Sequence, residues 1–342
     1  MRFSLLFFAN TGTDDARDQY DLLGRAAELA DAYGLAAVWV PERHFHEFGG
    51  AFPNPAIAAC VAAMRTKRIR IRAGSVVLPL HDVLRAVEDW SVVDNVSGGR
   101  VDIAFATGWN ATDFVLAPDR YAKRQECTLS AAREFDQLWR GEPACRPNGQ
   151  AEEVKVRTYP RPVQPAPGYW LTCTATPERF SEAGENGFNV LTALLFQTPG
   201  QVQANLERYR AARAGAGLAG RGQVTLMLHT YLGYSDSAVR ETVREPFVRY
   251  LESSMSLWKS HWKELDVSRV RDKRLLLQLA FDRYARSAAL FGTVGSCEPM
   301  VRQLADAGVD EIACLVDFGL PTEQVLESVE HIARLASAAA AY

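Results

Sequence analysis

The sequence lacks any apolar run long enough to cross a lipid bilayer, because charged or polar residues interrupt every hydrophobic stretch. It also lacks an excess of positive charge, since 38 Lys and Arg face 41 Asp and Glu, for a formal net charge of −3. That balance excludes a basic field for nucleic acid or for an anionic membrane. The 6 cysteines contain no CxxC pair, so we expect buried thiols in a reducing cytoplasm.

A glycine-rich dinucleotide-binding motif is missing as well. No GxGxxG follows the first apolar stretch, residues 3–8, which argues against a doubly wound open sheet. The same stretch follows a single Arg and has no small-residue cleavage site after it. It therefore predicts a first buried strand rather than a signal peptide.

Short apolar stretches alternating with helical patterns fill most of the chain. Most of these stretches are continuous, as expected for strands buried on both faces of a parallel sheet. Strands alternating with helices predict an α/β fold, a (β/α)8 TIM barrel, and we expect residues 1–342 to form one domain. The predicted strands are 3–8, 36–40, 70–78, 101–106, 169–173, 188–193, 224–232 and 311–316. A mostly helical stretch is predicted over 235–290.

Two regions interrupt the alternation of strands and helices. Residues 141–168 are rich in proline and polar side chains, which predicts an insertion on the rim of the barrel. Residues 253–273 include Trp258, His261 and Trp262, and we expect them to form a lid or loop over the barrel.

A polar and aromatic loop, residues 107–110, follows the fourth predicted strand. Gly108 would let a planar ligand approach the backbone, and Asn110 offers donors and an acceptor to the edge of a heterocycle. Thr107 and Trp109 lie in the same loop. The alternative is that Trp109 packs on the rim and Asn110 serves a turn.

A second candidate site is the strand–helix junction at residues 172–178. The hydroxyls of Thr174 and Thr176, with Ala175 between them, and the free amides of the following helix could hold a phosphate. Arg124, at the start of an earlier helix, could reach the same phosphate. The alternatives are a well-capped helix and a solvated surface arginine.

A third candidate is His44, which follows the second predicted strand. A histidine at the carboxyl end of a barrel strand can act as a base near neutral pH. The spacing of His44 and His46 also suits a metal site, and a structural His44 bound to a neighbouring carboxylate is a further alternative. Ser75, on the third strand, is small enough for a flat ring to lie against it, or it serves close strand–helix packing.

Together these segments resemble the bacterial luciferase-like flavin monooxygenases, in particular the branch associated with nonribosomal peptide and polyketide biosynthesis. The resemblance depends on several motifs that occur together and in the family's order. They are VWVPERHFHEFGGAFPNPA, IRIRAGSVVLPLHD, DNVSGGRVDIAFATGWNATDFVLAPDRYAKR, WLTCTATPERF and FNVLTALLFQ.

The resemblance implies a barrel that binds reduced FMN at its carboxyl end, with a separate reductase supplying the flavin. It implies that His44 is the active-site histidine and that Ser75 lies on the strand lining the flavin face. The remaining residues are expected to contact the flavin ring, ribityl chain and phosphate; they are Thr107, Trp109, Asn110, Arg124, Thr174, Ala175 and Thr176. The chain differs from luciferase at Thr107, where an arginine is usual, and from close relatives at Ala175 and Thr176, where Gly-Asn is common.

The family also suggests what the enzyme works with. O2 and a small organic substrate, free or tethered to an acyl or peptidyl carrier protein, would undergo hydroxylation, N-oxygenation or Baeyer–Villiger insertion, and paired barrels predict a homodimer. Three alternatives stay open: a deazaflavin (F420)-dependent dehydrogenase of the same fold, a metal-dependent barrel hydrolase, and a non-catalytic flavin-binding relative.

Overall fold

The computed structural model describes residues 1–8, 16–47, 49–195, 197–262 and 273–342. For residues 254–262 and 273–276 it describes the backbone alone. Eight parallel strands close into a barrel, in the order β1, β2, β3, β4, β7, β8, β9 and β11, with β11 returning to β1. They are β1 (Arg2–Leu6), β2 (Ala37–Val40), β3 (Arg70–Val77), β4 (Val101–Ala106), β7 (Tyr169–Thr172), β8 (Asn189–Ala193), β9 (Val224–Leu232) and β11 (Glu311–Leu315). The predicted (β/α)8 barrel is confirmed.

Helices surround the barrel, and several begin at residues whose chemistry favours a helix start. Asn54 accepts hydrogen bonds from the amides of Ala56 and Ile57, at 2.9 and 3.2 Å, and Pro55 occupies the first helical position of α2. The helices are α1 (Ala16–Ala32), α2 (Pro55–Arg65), α3 (Val83–Ser97), α4 (Arg124–Arg140), α5 (Pro177–Glu185), α6 (Pro199–Gly215), α7 (Asp236–Trp262), α8 (Lys273–Ser287), α9 (Val294–Asp306) and α10 (Thr322–Ala338). None of the helices in the described ranges is long and apolar enough to cross a membrane.

An extra strand corrects the predicted helical stretch 235–290. Helix α8 ends at Ser287, and β10 (Ala289–Gly292) pairs in parallel with the second half of β9, with Ala289 opposite His229. The first residues of the predicted lid 253–273 continue helix α7 to Trp262, in agreement with the mostly helical prediction for this part of the chain. Residues 263–272 of that segment lie outside the described residues, and its role as a lid stays a prediction.

The predicted insertion 141–168 contains an antiparallel hairpin that the sequence pattern did not indicate. Its strands are β5 (Ala144–Pro147) and β6 (Glu153–Val156), with the exposed Cys145 opposite Lys155. The segment connects α4 to the start of β7, and its Val163 and Gln164 amides donate to the Asp94 carboxylate at 2.7 and 3.0 Å. It therefore lies at the amino-terminal end of the barrel, opposite the strand ends where ligands bind in this architecture.

Buried charges fill the amino-terminal end of the barrel. The guanidinium of Arg72 donates to Asp102 at 2.9 Å and to Glu311 at 2.7 and 3.0 Å, and it lies 4.8 and 4.7 Å from the ring centroids of Trp39 and Trp170. We call Arg72, Asp102 and Glu311 the basal network. Each side chain of the network is at least nine-tenths buried.

Neighbouring side chains complete the hydrogen bonds of the basal network. Ser4 donates to Glu311 at 2.7 Å, Gln223 donates to Glu311 at 2.9 Å, and Arg70 donates to Asp102 at 3.0 Å. Buried charges are tolerated when they are paired and hydrogen-bonded in this way. The network thus supplies a polar core layer at one end of the barrel.

Candidate functional site

A buried carboxylate organises the carboxyl end of the barrel. Glu42 follows β2, and its Oε1 accepts hydrogen bonds from Nε2 of His44 at 2.9 Å and from Nε2 of His81 at 2.7 Å. Its Oε2 accepts the backbone N–H of Val77 at 2.8 Å. We call Glu42, His44 and His81 the carboxylate–histidine cluster. His81 comes from the turn after β3, so the cluster connects the ends of two adjacent strands.

The charge of Glu42 fixes the tautomers of both histidines. Burial acts to raise the pKa of Glu42, but the hydrogen bonds from His44 and His81 hold the pKa below its usual value. The carboxylate is therefore ionised at neutral pH and can only accept hydrogen bonds, so both Nε2 atoms carry a hydrogen. When the His44 ring is neutral, its Nδ1 keeps the lone pair, and this nitrogen is the one that can take a proton.

The two histidines differ in exposure. The His44 side chain is 11% exposed and that of His81 is 26% exposed. Burial alone would lower the pKa of His81, but the hydrogen bond and charge of Glu42, with a contribution from Asp89, raise it. The structural alternative considered for His44, a bond to a neighbouring carboxylate, is thus present, and a carboxylate that orients an imidazole is also what a general base requires.

The loop after β4 packs tightly around Gly108. This glycine has a φ of 72°, and a Cβ placed there would lie 2.8 Å from both Phe114 and Val77, so a larger residue would not fit. Trp109 is exposed, with the guanidinium of Arg43 5.4 Å from its ring centroid. Thr107 precedes them and is partly buried.

Asn110 is occupied within its own turn. Its Nδ2 donates to Asp113 at 2.7 Å and its Oδ1 accepts the amide of Thr112 at 3.2 Å, which caps the 3-10 helix Ala111–Leu116. The alternative that Asn110 serves a turn is therefore observed. Its predicted contact with a flavin stays a prediction.

The phosphate site predicted from the sequence consists of Arg124 and the residues at the start of α5. Arg124 donates to the carbonyls of Gly108 at 3.1 Å and Tyr121 at 2.9 Å, and stacks 4.5 Å from the Tyr121 ring centroid. Thr176 is the N-cap residue of α5, but its side chain makes no hydrogen bond to the first amides of that helix. Thr174 and Thr176 are exposed, and Ala175 between them is partly buried. The alternative of a helix capped by a threonine side chain is therefore not observed, and the Thr176 hydroxyl makes no hydrogen bond to the start of α5.

Ser75 connects two strands inside the barrel. Its hydroxyl lies 2.5 Å from the hydroxyl of Thr172 at the end of β7, and the peptide bond between Gly74 and Ser75 is cis. A Cβ at Gly74 would lie 3.1 Å from Trp39, so the backbone is closely packed at this point. The small side chain that the sequence suggested for a ring-binding face is in place, and its contact with a ring stays a prediction.

Sequence reasoning missed two histidine environments. His81 was not selected, because its link to Glu42 joins residues 39 positions apart.

His229, within the predicted strand 224–232, is 3% exposed, and its Nδ1 lies 2.9 Å from the hydroxyl of Tyr284. Phe247, Tyr250 and Phe318 surround the His229 ring, and burial lowers the pKa of His229 to about 3.

Arg43 is a buried cation between the cluster and the loop after β4. Its guanidinium lies 4.2 Å from the ring centroid of Phe8, and burial lowers the pKa of Arg43 to about 10. For the metal alternative, the described part of the chain contains no group of three His, Cys, Asp or Glu placed to bind an ion.

Comparison with known proteins identifies the family. A family model described as luciferase-like monooxygenase matches residues 1–338. The chain belongs to the luciferase-like monooxygenase family. The resemblance drawn from its motifs is thereby confirmed.

Relatives of this luciferase-like chain cover it almost completely. It is 24% identical over 343 residues to the oxygenase component of a flavin-dependent trigonelline monooxygenase from Acinetobacter baylyi, covering 97% of this chain and 93% of that protein. A solved structure of the oxygenating constituent of 3,6-diketocamphane monooxygenase from Pseudomonas putida, a type II Baeyer–Villiger monooxygenase in complex with FMN, matches with a TM-score of 0.81 and 17% identity over 99% of this chain and 98% of that one.

The same fold also occurs with a different cofactor. An F420-dependent secondary alcohol dehydrogenase, in complex with an F420–acetone adduct, matches with a TM-score of 0.71 and 15% identity over 98% of this chain and 99% of that one. At such identities the structural likeness concerns the fold. Family membership makes this chain a luciferase-like monooxygenase, and the relative from Acinetobacter baylyi is named as a flavin-dependent monooxygenase.

Proposed function

We propose that this enzyme is the oxygenase component of a two-component monooxygenase that uses reduced FMN from a separate reductase. One atom of O2 would be transferred to a small or carrier-tethered substrate in natural-product biosynthesis. The observation that carries the proposal is the carboxylate–histidine cluster, which presents Nδ1 of His44 as a base at the carboxyl end of a luciferase-like barrel. The division into two components is supported by the trigonelline relative, which is named as an oxygenase component.

The donor groups at the predicted phosphate site fit FMN. A guanidinium, two threonine hydroxyls and the amino-terminal end of a helix are the groups that commonly bind a phosphate monoester. Here they would be Arg124, Thr174, Thr176 and the start of α5. An open cavity of about 650 Å³ is lined by residues 122–126 and Leu129 near the start of α4 and by Glu182 of α5. The FMN complex of the 3,6-diketocamphane relative supports the same cofactor.

The remaining site residues have roles that follow from their positions. Ser75, Thr107 and Trp109 would line the flavin ring and ribityl chain, and Asn110 would cap the 3-10 helix that follows Trp109. Reduced FMN, when bound, supplies the electrons that activate O2. The protein would exclude water with its apolar strand residues and move one proton through Nδ1 of His44.

An exposed apolar face supports the proposed homodimer. Ile57 and Met64 on α2 are 70% and 79% exposed, and Val92 and Val96 on the adjacent α3 are also exposed. Apolar side chains grouped in this way commonly mark a protein interface. Sedimentation velocity would show a dimer for the wild type and a monomer for Met64→Glu. A wild-type monomer would contradict the proposal.

Anaerobic titration with reduced FMN, followed by a pulse of O2, tests the cofactor and the reaction. We expect saturable binding, and a visible spectrum in which oxidised flavin appears more slowly than it does without protein. The F420-dependent alternative has a relative of the same fold in its support, so a parallel titration with reduced F420 is included. Tight binding of F420 without O2 consumption would favour the dehydrogenase, and no affinity for reduced FMN would overturn the proposal.

A further inference from the structure

The shared oxygen of Glu42 couples the two histidines of the carboxylate–histidine cluster. Both Nε2 atoms donate to the same Oε1, at 2.9 Å for His44 and 2.7 Å for His81. The other oxygen, Oε2, is committed to the Val77 amide at 2.8 Å. One negative charge is thus shared by two groups that can each become a cation, and the two titrations cannot be independent.

Other charges face the cluster from the surrounding elements. Asp89 of α3 acts on His81, and Arg120 from the 3-10 helix Pro118–Arg120 donates to the His81 carbonyl at 2.7 Å. Asp113, from the 3-10 helix after β4, and Arg43, beside Glu42 in the chain, act near His44. These four groups add charges of both signs, and among the described residues only the Glu42 carboxylate hydrogen-bonds to both rings.

We propose that His81 is a positioning residue that keeps His44 neutral by taking the proton that the buried carboxylate would otherwise attract to the base. This inference rests on the proposed role of His44 as the base. His81 makes the shorter hydrogen bond to Glu42, which favours its charged form. It is also the more exposed ring, so it exchanges protons with solvent more readily. With His81 charged, Glu42 is neutralised, and a second proton on His44 would meet a cation across the shared oxygen.

The electrostatic directions agree with this division of roles. Glu42 and Asp89 raise the pKa of His81 despite its burial. This direction, together with the shorter hydrogen bond of His81 to Glu42, favours His81 as the site of the first proton. His44 keeps its Nδ1 lone pair over the pH range in which the pair carries one proton.

Nitrogen NMR of the imidazoles in the flavin-free full-length protein tests the coupling without any turnover. In the wild type we expect His81 to titrate at higher pH than His44, with both neutral rings protonated at Nε2. In His81→Gln the amide still donates to Glu42 but cannot take a proton, so the pKa of His44 should rise by about one pH unit. The matched control His46→Gln, in the same loop as His44, should leave the pKa of His44 unchanged.

Two further variants keep the test decisive. Glu42→Gln should lower the pKa of His44 and release its tautomer. His81→Asn replaces His81→Gln if the latter does not fold, and the order of titration in the wild type needs no variant at all. An unchanged or lowered pKa of His44 without His81, or a His44 that titrates above His81 in the wild type, would overturn the inference.

Activity gives a second readout that separates this inference from the proposed function. In His81→Gln the acidic limb of the kcat/KM profile should move up by about one pH unit. A merely structural role would lower the plateau without moving the limb. If the NMR coupling is present but no oxygenation occurs with reduced FMN, the proposed function fails and the coupling stands.

Discussion

Both ends of the barrel contain buried carboxylates that are hydrogen-bonded to basic side chains, but the basic side chains differ between the two ends. In the basal network, Glu311 and Asp102 accept hydrogen bonds from Arg72, and these two carboxylates raise the pKa of the Arg72 guanidinium despite its burial, so that it stays charged. In the carboxylate–histidine cluster, Glu42 accepts hydrogen bonds from two imidazoles, and each imidazole has a second ring nitrogen that can take a proton. Arginine gives a permanent charge pattern, whereas histidine leaves a proton that can move.

The difference follows from position in the fold. In parallel barrels the amino-terminal end contributes stability, and chemistry occurs at the carboxyl end. The comparison therefore predicts that substitutions at one end change unfolding and that substitutions at the other change turnover. Four measurements can break or sharpen that division.

Removal of the base should have the largest effect. His44→Ala deletes the group that moves the proton, and we expect product formation with reduced FMN to fall by about 10²- to 10⁴-fold. Glu42 keeps its bonds to His81 and Val77, so the free energy of unfolding should change by no more than about 1 kcal/mol. Single-turnover product yield and urea unfolding measure the two quantities. Normal turnover in this variant would remove His44 from the mechanism.

Removal of a carboxylate from the basal network should lower stability and leave flavin binding unchanged. Glu311→Ala removes one of the two carboxylates that pair with the buried Arg72 guanidinium. We therefore expect the free energy of unfolding to fall by about 3–5 kcal/mol. The affinity of the folded fraction for reduced FMN should stay unchanged. Glu323→Ala, which removes an exposed ion pair with Arg25, is the control and should unfold like the wild type. A Glu311→Ala protein of full stability would contradict the role given to the basal network.

Mild acid should destabilise the protein through His229. Burial lowers its pKa from 6.5 to about 3, so below pH 6.5 the unfolded chain binds a proton that the folded chain does not. Stability from this residue is present above pH 6.5 and is lost as pH falls toward 3, by about 2 kcal/mol between pH 8 and pH 5. Urea unfolding of the wild type and of His229→Gln at both pH values isolates the effect, since the variant should lack it. Parallel pH dependences in the two proteins would show that His229 is charged when folded.

Substitutions at the starts of helices α2 and α5 should have the smallest effects, and they form a matched pair. Asn54→Ala removes two cap hydrogen bonds from α2 and should cost about 1 kcal/mol of stability without changing affinity for FMN. Thr176→Ala removes no cap bond from α5, so it should leave stability unchanged and weaken FMN binding about tenfold. Equal stability losses in the two variants would mean that Thr176 is structural.

The barrel could be predicted because its strands are continuous apolar runs, and because family motifs identified their order. Ala289–Gly292 escaped prediction, since a four-residue apolar run directly after a helix resembles the end of that helix. His44 was found from its position after a strand. Its partner His81 was not found, because only the folded chain brings the end of β2 next to the turn after β3. For Asn110 the turn that the sequence offered as an alternative is present, since its amide donates to Asp113, and its contact with a flavin stays a prediction.

The hairpin formed by β5 and β6 has a practical consequence. It carries Cys145, the exposed thiol among the described cysteines, on the side of the molecule opposite the strand ends that hold the candidate site. A maleimide dye or a surface tether attached to this thiol would leave the entrance to the barrel facing the solution. Immobilised enzyme or a fluorescence anchor could therefore be prepared without introducing a new cysteine.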